Sequence, residues 1–228
     1  DDNITQTVAG VKQLTSIEGK FKGVRQGTGV GDNRYSTHSR TTITTSSKII
    51  VMAAAEIWFL RAEAALRGFT SEDVESCYKQ GVTTSFAQWD ASGVSEYLES
   101  ENTPADYVDT FDKNFDAKAT TSITPKWDNT ADNETKLERI ITQKWLAIYP
   151  EGCEAWAEQR RTGYPKLFKV VVNNSSNAIS TDDMIRRVFF NQDYITNNKP
   201  LYDALVSKLG GLDTGGTRLW WDTGKNNF

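Results

Sequence analysis

The residue that most constrains this chain is Pro150, because it falls between two stretches of helical periodicity and cannot continue the first. Upstream, Leu137, Ile140, Ile141, Trp145 and Ile148 recur at the spacing that gathers apolar groups on one helix face. Proline has no amide hydrogen and pushes the residue before it, here Tyr149, out of the α region, so the first helix ends at this point. Downstream, Cys153, Trp156 and Ala157 restart the pattern from about Gly152, and Gly163 supplies the left-handed residue that closes many helices. Two helices joined by so short a turn bury their stripes on each other, which predicts a helical hairpin.

A second hairpin is predicted earlier in the chain. Residues 48–66 carry Ala55, Ile57, Trp58, Leu60, Ala62 and Leu66 with little polar face, and Glu63 and Arg67 stand as an i, i+4 pair. Gly68 ends that helix, and Ser71 with Glu72 and Asp73 opens the next, where acidic groups oppose the helix dipole. Val74, Tyr78, Val82, Phe86 and Trp89 then keep one face apolar up to Gly93. On this spacing Trp58, Trp89, Trp145 and Trp156 are core residues.

Other segments are less regular. Residues 94–132 read as loop and short helix, VVVNNSSN at 170–177 and IRRVFF at 185–190 as extended pieces, and 201–209 as a short helix stopped by Gly210. Trp220 and Trp221 are expected to pin the terminus, with one of the two pointing outward. Residues 1–48 are rich in Thr, Ser, Gly and basic groups without a clear period, an irregular segment of short strands and loops. The chain opens at Asp1 without a signal region, so the expectation is a mature product or an excised piece, with 1–48 the end of a larger amino-terminal region and 49–228 the helical region.

Several chemistries are disfavoured by composition. A net charge of −4 gives no electrostatic footprint for nucleic acid, and the longest apolar run, IIVMAAAEIWFL at 49–60, is too short and too charged to span a bilayer. The single histidine, His38, rules out a histidine-rich metal site and is expected on a surface loop. Cys77 and Cys153 are expected as two separate buried thiols. GTGVG at 27–31 lacks the lysine, strand and helix of a phosphate loop and reads as a turn. Glycoside hydrolysis needs two carboxylates across a sugar bond, and Glu56 with Glu63, or Glu154 with Glu158, share helix faces, but Arg67 stands within reach of Glu63 and Arg161 of Glu158 to neutralise them. No catalytic residue, metal site or cofactor site is predicted.

Tyr97, Tyr107 and Trp127 fall outside the strong helices and are the aromatic residues expected to be most exposed.

Four separated motifs carry a family resemblance: AEIWFLRAEAALRGF at 55–69, the whole of 137–168, IRRVFF followed by Asp193 and Tyr194, and the GTRLWWD ending. In that order they resemble the carboxy-terminal half of SusD/RagB lipoproteins over about residues 48–222. The resemblance implies a mainly α fold, an α-α superhelix of tetratricopeptide-like helical hairpins with long irregular loops and few short strands. It implies a non-catalytic, surface-exposed lipoprotein of the outer membrane that binds a glycan, or in some members a peptide, beside a SusC-like TonB-dependent transporter. The lipid anchor would lie outside this chain. Asn191 and Asp193 stand where the family usually has proline and then glutamate. A glycan site needs aromatic platforms with polar partners beside them; Tyr35, Tyr107 and Trp127 are the candidate platforms and Arg40 the candidate partner. The alternative function is a helical scaffold that contacts the transporter without itself binding glycan.

Overall fold

The computed structural model describes residues 3–8, 11–16, 23–28, 38, 39, 41 and 43–228. Among them are a hairpin of β1 (Asn3–Val8) and β2 (Val11–Ser16) and the helices α1 (Ala54–Leu66), α2 (Val74–Gln88), α3 (Val94–Leu98), α4 (Asn133–Ala147), α5 (Gly152–Thr162), α6 (Gln192–Asn197) and α7 (Lys199–Leu209). The fold is therefore mainly helical, as the spacing predicts. No described helix is long and apolar enough to cross a membrane. The chain divides into two compact units, one of residues 1–47, 105–119 and 168–219, the other of residues 48–104, 120–167 and 220–228.

The second unit holds both predicted hairpins. α1 begins only at Ala54, after an extended Ala53 (φ −81°, ψ 131°), so the first six residues of the predicted helix are irregular. Its buried stripe is Ala55, Phe59 and Ala62; Trp58, to one side of that line, is only partly buried against the core. Phe59 lies against α2, where Gly81 makes the approach possible: a Cβ on Gly81 would stand 2.7 Å from the Phe59 ring. Tyr78, Val82, Leu137, Ile140 and Ile141 complete the centre of the core. Side-chain caps set the helix starts, Asp73 accepting from the Ser76 amide and Asp132 from the Thr135 amide, each satisfying a donor the helix leaves open. Gly163 ends α5 at φ 79°, as predicted.

The final residues belong to this unit as well. The Asn227 side chain donates to Glu134 at the start of α4 (3.0 Å) and to the Thr162 carbonyl (3.0 Å), while Arg67 lies 4.9 Å from the Phe228 ring centre. Trp221 lies under Arg160, which also stacks on Trp156 at 3.7 Å. Trp220 is 91% exposed, so of the two terminal tryptophans Trp221 is the one held.

In the first unit the β1–β2 register pairs Asn3 with Ser16 through to Val8 with Val11. Neither 170–177 nor 185–190 forms a strand. The backbone amides of Arg186 and Arg187 both turn to the Gly215 carbonyl, and the buried Arg187 side chain reaches Asp213, so this segment is organised by a turn and an ion pair instead of a ladder. Asn191, the departure from the family pattern, caps α6 by accepting from the Asp193 amide. His38 is 4% exposed, with its ring 5.9 Å from that of Phe111; the expected surface histidine is a packed one. Cys77 is buried and Cys153 exposed, both as free thiols, because Cys153 sits in the first turn of α5 facing away from the core.

Candidate functional site

Of the four residues predicted as ligand contacts, two are described, one in each unit. Tyr35 and Arg40 lie outside the described residues. Tyr107 is half-buried in the first unit, where its ring packs on Phe168 at 6.0 Å and its hydroxyl donates to Asp109 (3.2 Å) and accepts from the Arg25 amide (3.3 Å). Burial, with Asp109 adding to it, lifts the Tyr107 phenol above its ordinary pKa despite the Arg25 contact. It also borders a shallow pocket of about 210 Å³ with Asp106, Asp116 and Lys118. Trp127 is 8% exposed in the core of the second unit, its ring 5.1 Å from that of Tyr78 and its indole N–H donated to Asn129 (2.8 Å). The expectation that Trp127 is exposed is therefore corrected. It follows Pro125, whose carbonyl takes the Tyr78 hydroxyl (2.6 Å), and that contact draws the loop into the core.

The aromatic surface lies elsewhere in the same unit. Trp89, Trp145, Leu146, Tyr149, Pro150 and Ala155 line an open cleft of about 350 Å³. Its walls come from three helix ends: Trp89 is the C-terminal cap of α2, Tyr149 lies just past the end of α4, and Ala155 is in the first turns of α5. Trp89 is 44% exposed and Tyr149 47%, with ring centres 6.4 Å apart and planes at 47°. Trp145, on α4, is half-buried. The indole and phenol groups give this apolar surface a few hydrogen-bonding edges, the combination found in small-molecule sites. Glu151 is the ionisable carboxylate on the lining, and it accepts from the Cys153 amide (3.1 Å) as the cap of α5.

Behind the cleft, a buried charge network fixes α4 and α5 to α1. Lys144, 1% exposed, reaches Glu154 at 2.9 Å, Glu158 at 3.3 Å and Glu56 at 3.4 Å. Desolvation alone would pull its pKa down, but the surrounding carboxylates more than offset it and hold Lys144 above the ordinary lysine value. Arg161 forks onto both oxygens of Glu63 (2.7 Å each) and onto Glu158, and Arg67 adds a third donor to Glu63 at 2.8 Å. Burial pushes Glu63 up, and the two arginines override it, leaving Glu63 below the usual carboxylate range. The arrangement is ion pairing throughout: each carboxylate of the two same-face pairs meets a cation, as predicted for Arg67 and Arg161. Among the described residues no cluster of His, Cys, Asp and Glu could hold a metal ion.

Of the tryptophans that the spacing places in the core, Trp89 is exposed instead, and the periodicity assigns no role to Lys144 or Tyr149. Lys144 lies on the apolar stripe at i+7 from Leu137, a position that already called for a buried partner set. Trp89 and Tyr149 stand where their helices stop, past the last residues of α2 and α4.

A family model described as the SusD and RagB outer membrane lipoprotein family matches residues 4–222. Solved structures agree. A SusD homologue from Bacteroides vulgatus ATCC 8482 is 52% identical over 87% of this chain and 41% of its own, with a TM-score of 0.80. A chitin-binding SusD homologue from Flavobacterium johnsoniae is 46% identical over 79% of this chain and 38% of its own, at a TM-score of 0.75. One from Bacteroides thetaiotaomicron VPI-5482 is 36% identical over 90% of this chain and 46% of its own, at 0.84. The chain thus spans less than half the length of these structures. A search of curated proteins gave no match.

Proposed function

Because the chain belongs to the SusD and RagB family of outer-membrane lipoproteins, we propose that it is part of a non-catalytic, surface-exposed protein that captures glycan for a TonB-dependent transporter. The observation that carries the glycan reading is the 46% identity to a chitin-binding homologue, across most of this chain. The aromatic cleft supports it, since flat apolar side chains with polar edges suit the two faces of a sugar ring. The absence of any carboxylate pair free of cation partners among the α1 and α5 candidates supports binding without hydrolysis. Tyr35, Arg40 and Tyr107 remain candidate contacts within this reading; Trp127, packed in the core, acts through stability.

The test is calorimetric titration of the protein at its natural length with chitin, starch and uronic acid oligosaccharides, with reducing-sugar release followed in parallel. Binding without release is expected. Release of sugar would overturn the non-catalytic reading, and binding of none would favour a helical scaffold that contacts only the transporter. Co-purification of a TonB-dependent barrel with the protein from outer membranes tests the partner separately.

A further inference from the structure

Among the described residues, two large aromatic side chains stand at the mouth of one cleft with nearly half their surface open to water. Trp89 and Tyr149 face each other across 6.4 Å, with Trp145 below and Pro150 and Ala155 beside them. In the core of the same unit, by contrast, Phe59, Tyr78 and Trp127 are buried against one another. The cleft is also held in shape. Lys144, next to Trp145, is tied to α1 and α5, so the α4 and α5 ends on the cleft keep their spacing without a ligand.

The lining further constrains the ligand. Among the described residues no lysine, arginine or histidine lines the cleft, and Glu151 presents the one carboxylate, already engaged at the α5 amide. An anionic sugar would find no countercharge there and would meet a like charge. A volume of about 350 Å³ is near the lower end of the roughly 300–1,000 Å³ typical of small-molecule sites, room for a short stretch of an oligosaccharide.

We propose that the cleft of Trp89, Trp145 and Tyr149 is a stacking subsite for an uncharged pyranose ring of the captured glycan. This rests on the glycan-capture reading above and adds the place and the charge class. The ring lays an apolar face on Trp89 or Tyr149, while its hydroxyls meet the indole N–H and phenol groups and water.

The experiment uses the protein at its natural length, with chitohexaose and maltoheptaose as neutral probes and a polygalacturonate oligomer as the acidic one. Because both rings are exposed, the Trp89→Ala, Tyr149→Ala double variant should fold, and its circular dichroism and melting curve check this. The expected result is binding of a neutral probe that weakens at least about tenfold in the alanine variant and is largely retained in Trp89→Phe, Tyr149→Phe. Neutral binding unchanged by the alanine pair would overturn the subsite and leave glycan capture standing. Tighter binding of the acidic probe through the same two residues would overturn the charge class. Binding of no probe would remove the capture function and the subsite together.

Discussion

Replacing Lys144 with methionine isolates the worth of the buried charge network, because methionine keeps the length and packing of the stem and removes only the charge. Three carboxylates surround the ammonium, but they do not suffer equally. Glu158 keeps Arg161 at 2.7 Å, and the Glu154 side chain is 39% exposed and can hydrate. Glu56, whose side chain is 12% exposed, is the one left charged and dry. Breaking a buried pair from one side costs about 3–5 kcal/mol, and with one orphan instead of three the lower end applies, about 3 kcal/mol. In urea, with a slope near 2 kcal/mol/M, that moves the unfolding midpoint down by about 1.5 M, read by tryptophan fluorescence. The deficit has a defined pH dependence. Lys144 has a raised pKa in the folded state, so its contribution is fully present below the unfolded lysine value and is lost as pH rises through the folded one. Wild type and Lys144→Met should therefore converge at strongly alkaline pH. A cost under about 1 kcal/mol at neutral pH, the range of a solvent-exposed pair, would refute the picture of a dry, interlocked network.

Three further outcomes are expected. Gly81→Ala should lower stability by about 1–2 kcal/mol in thermal melts, since a gain in helix propensity of about 1 kcal/mol is outweighed by overpacking of about 1–3 kcal/mol or more against the rigid Phe59 ring. Glu63 has a depressed pKa, so its stabilisation is present above the unfolded carboxylate value and disappears as pH falls through the folded one; Glu63→Gln should show a flatter loss of stability on acidification. Native protein treated with iodoacetamide should be alkylated at Cys153 and not at Cys77, whose thiol is buried and pushed up in pKa by desolvation; peptide mass spectrometry reads the difference.

What could be read from the sequence was mostly periodicity and punctuation. Pro150, Gly163, Gly210 and the acidic helix starts each mark a helix end on the backbone itself, so the two hairpins followed from local rules. The face that each helix buries was harder. Trp58 and Phe59 are adjacent and equally apolar, and the choice between them depends on Gly81, 22 positions later, which no window around α1 contains. Trp127 looked like a loop aromatic because its neighbours are polar, yet it is buried through the Tyr78 hydroxyl and the Pro125 carbonyl, a contact between distant segments. IRRVFF reads as a strand or an extended arm, but Arg186 and Arg187 are buried side by side and Val188 and Phe189 exposed side by side, which breaks the alternation a strand needs. Exposure of Trp89 and Tyr149 likewise depends on what stands beyond the helix ends, which periodicity does not report.

The clasp of Asn227 and Phe228 on Glu134 and Arg67 imposes an order of events on the helical unit. A chain emerging from its amino end presents α1 through α5 early, but the residues that fasten the first turn of α4 to the end of α5 arrive only after residues 168–219. Until then Glu134 lacks these partners, and the carbonyl of Thr162 lacks the amide that Asn227 brings it. The unit is thus assembled like a drawstring closed from its far end, its final tightening waiting on the whole of the intervening chain.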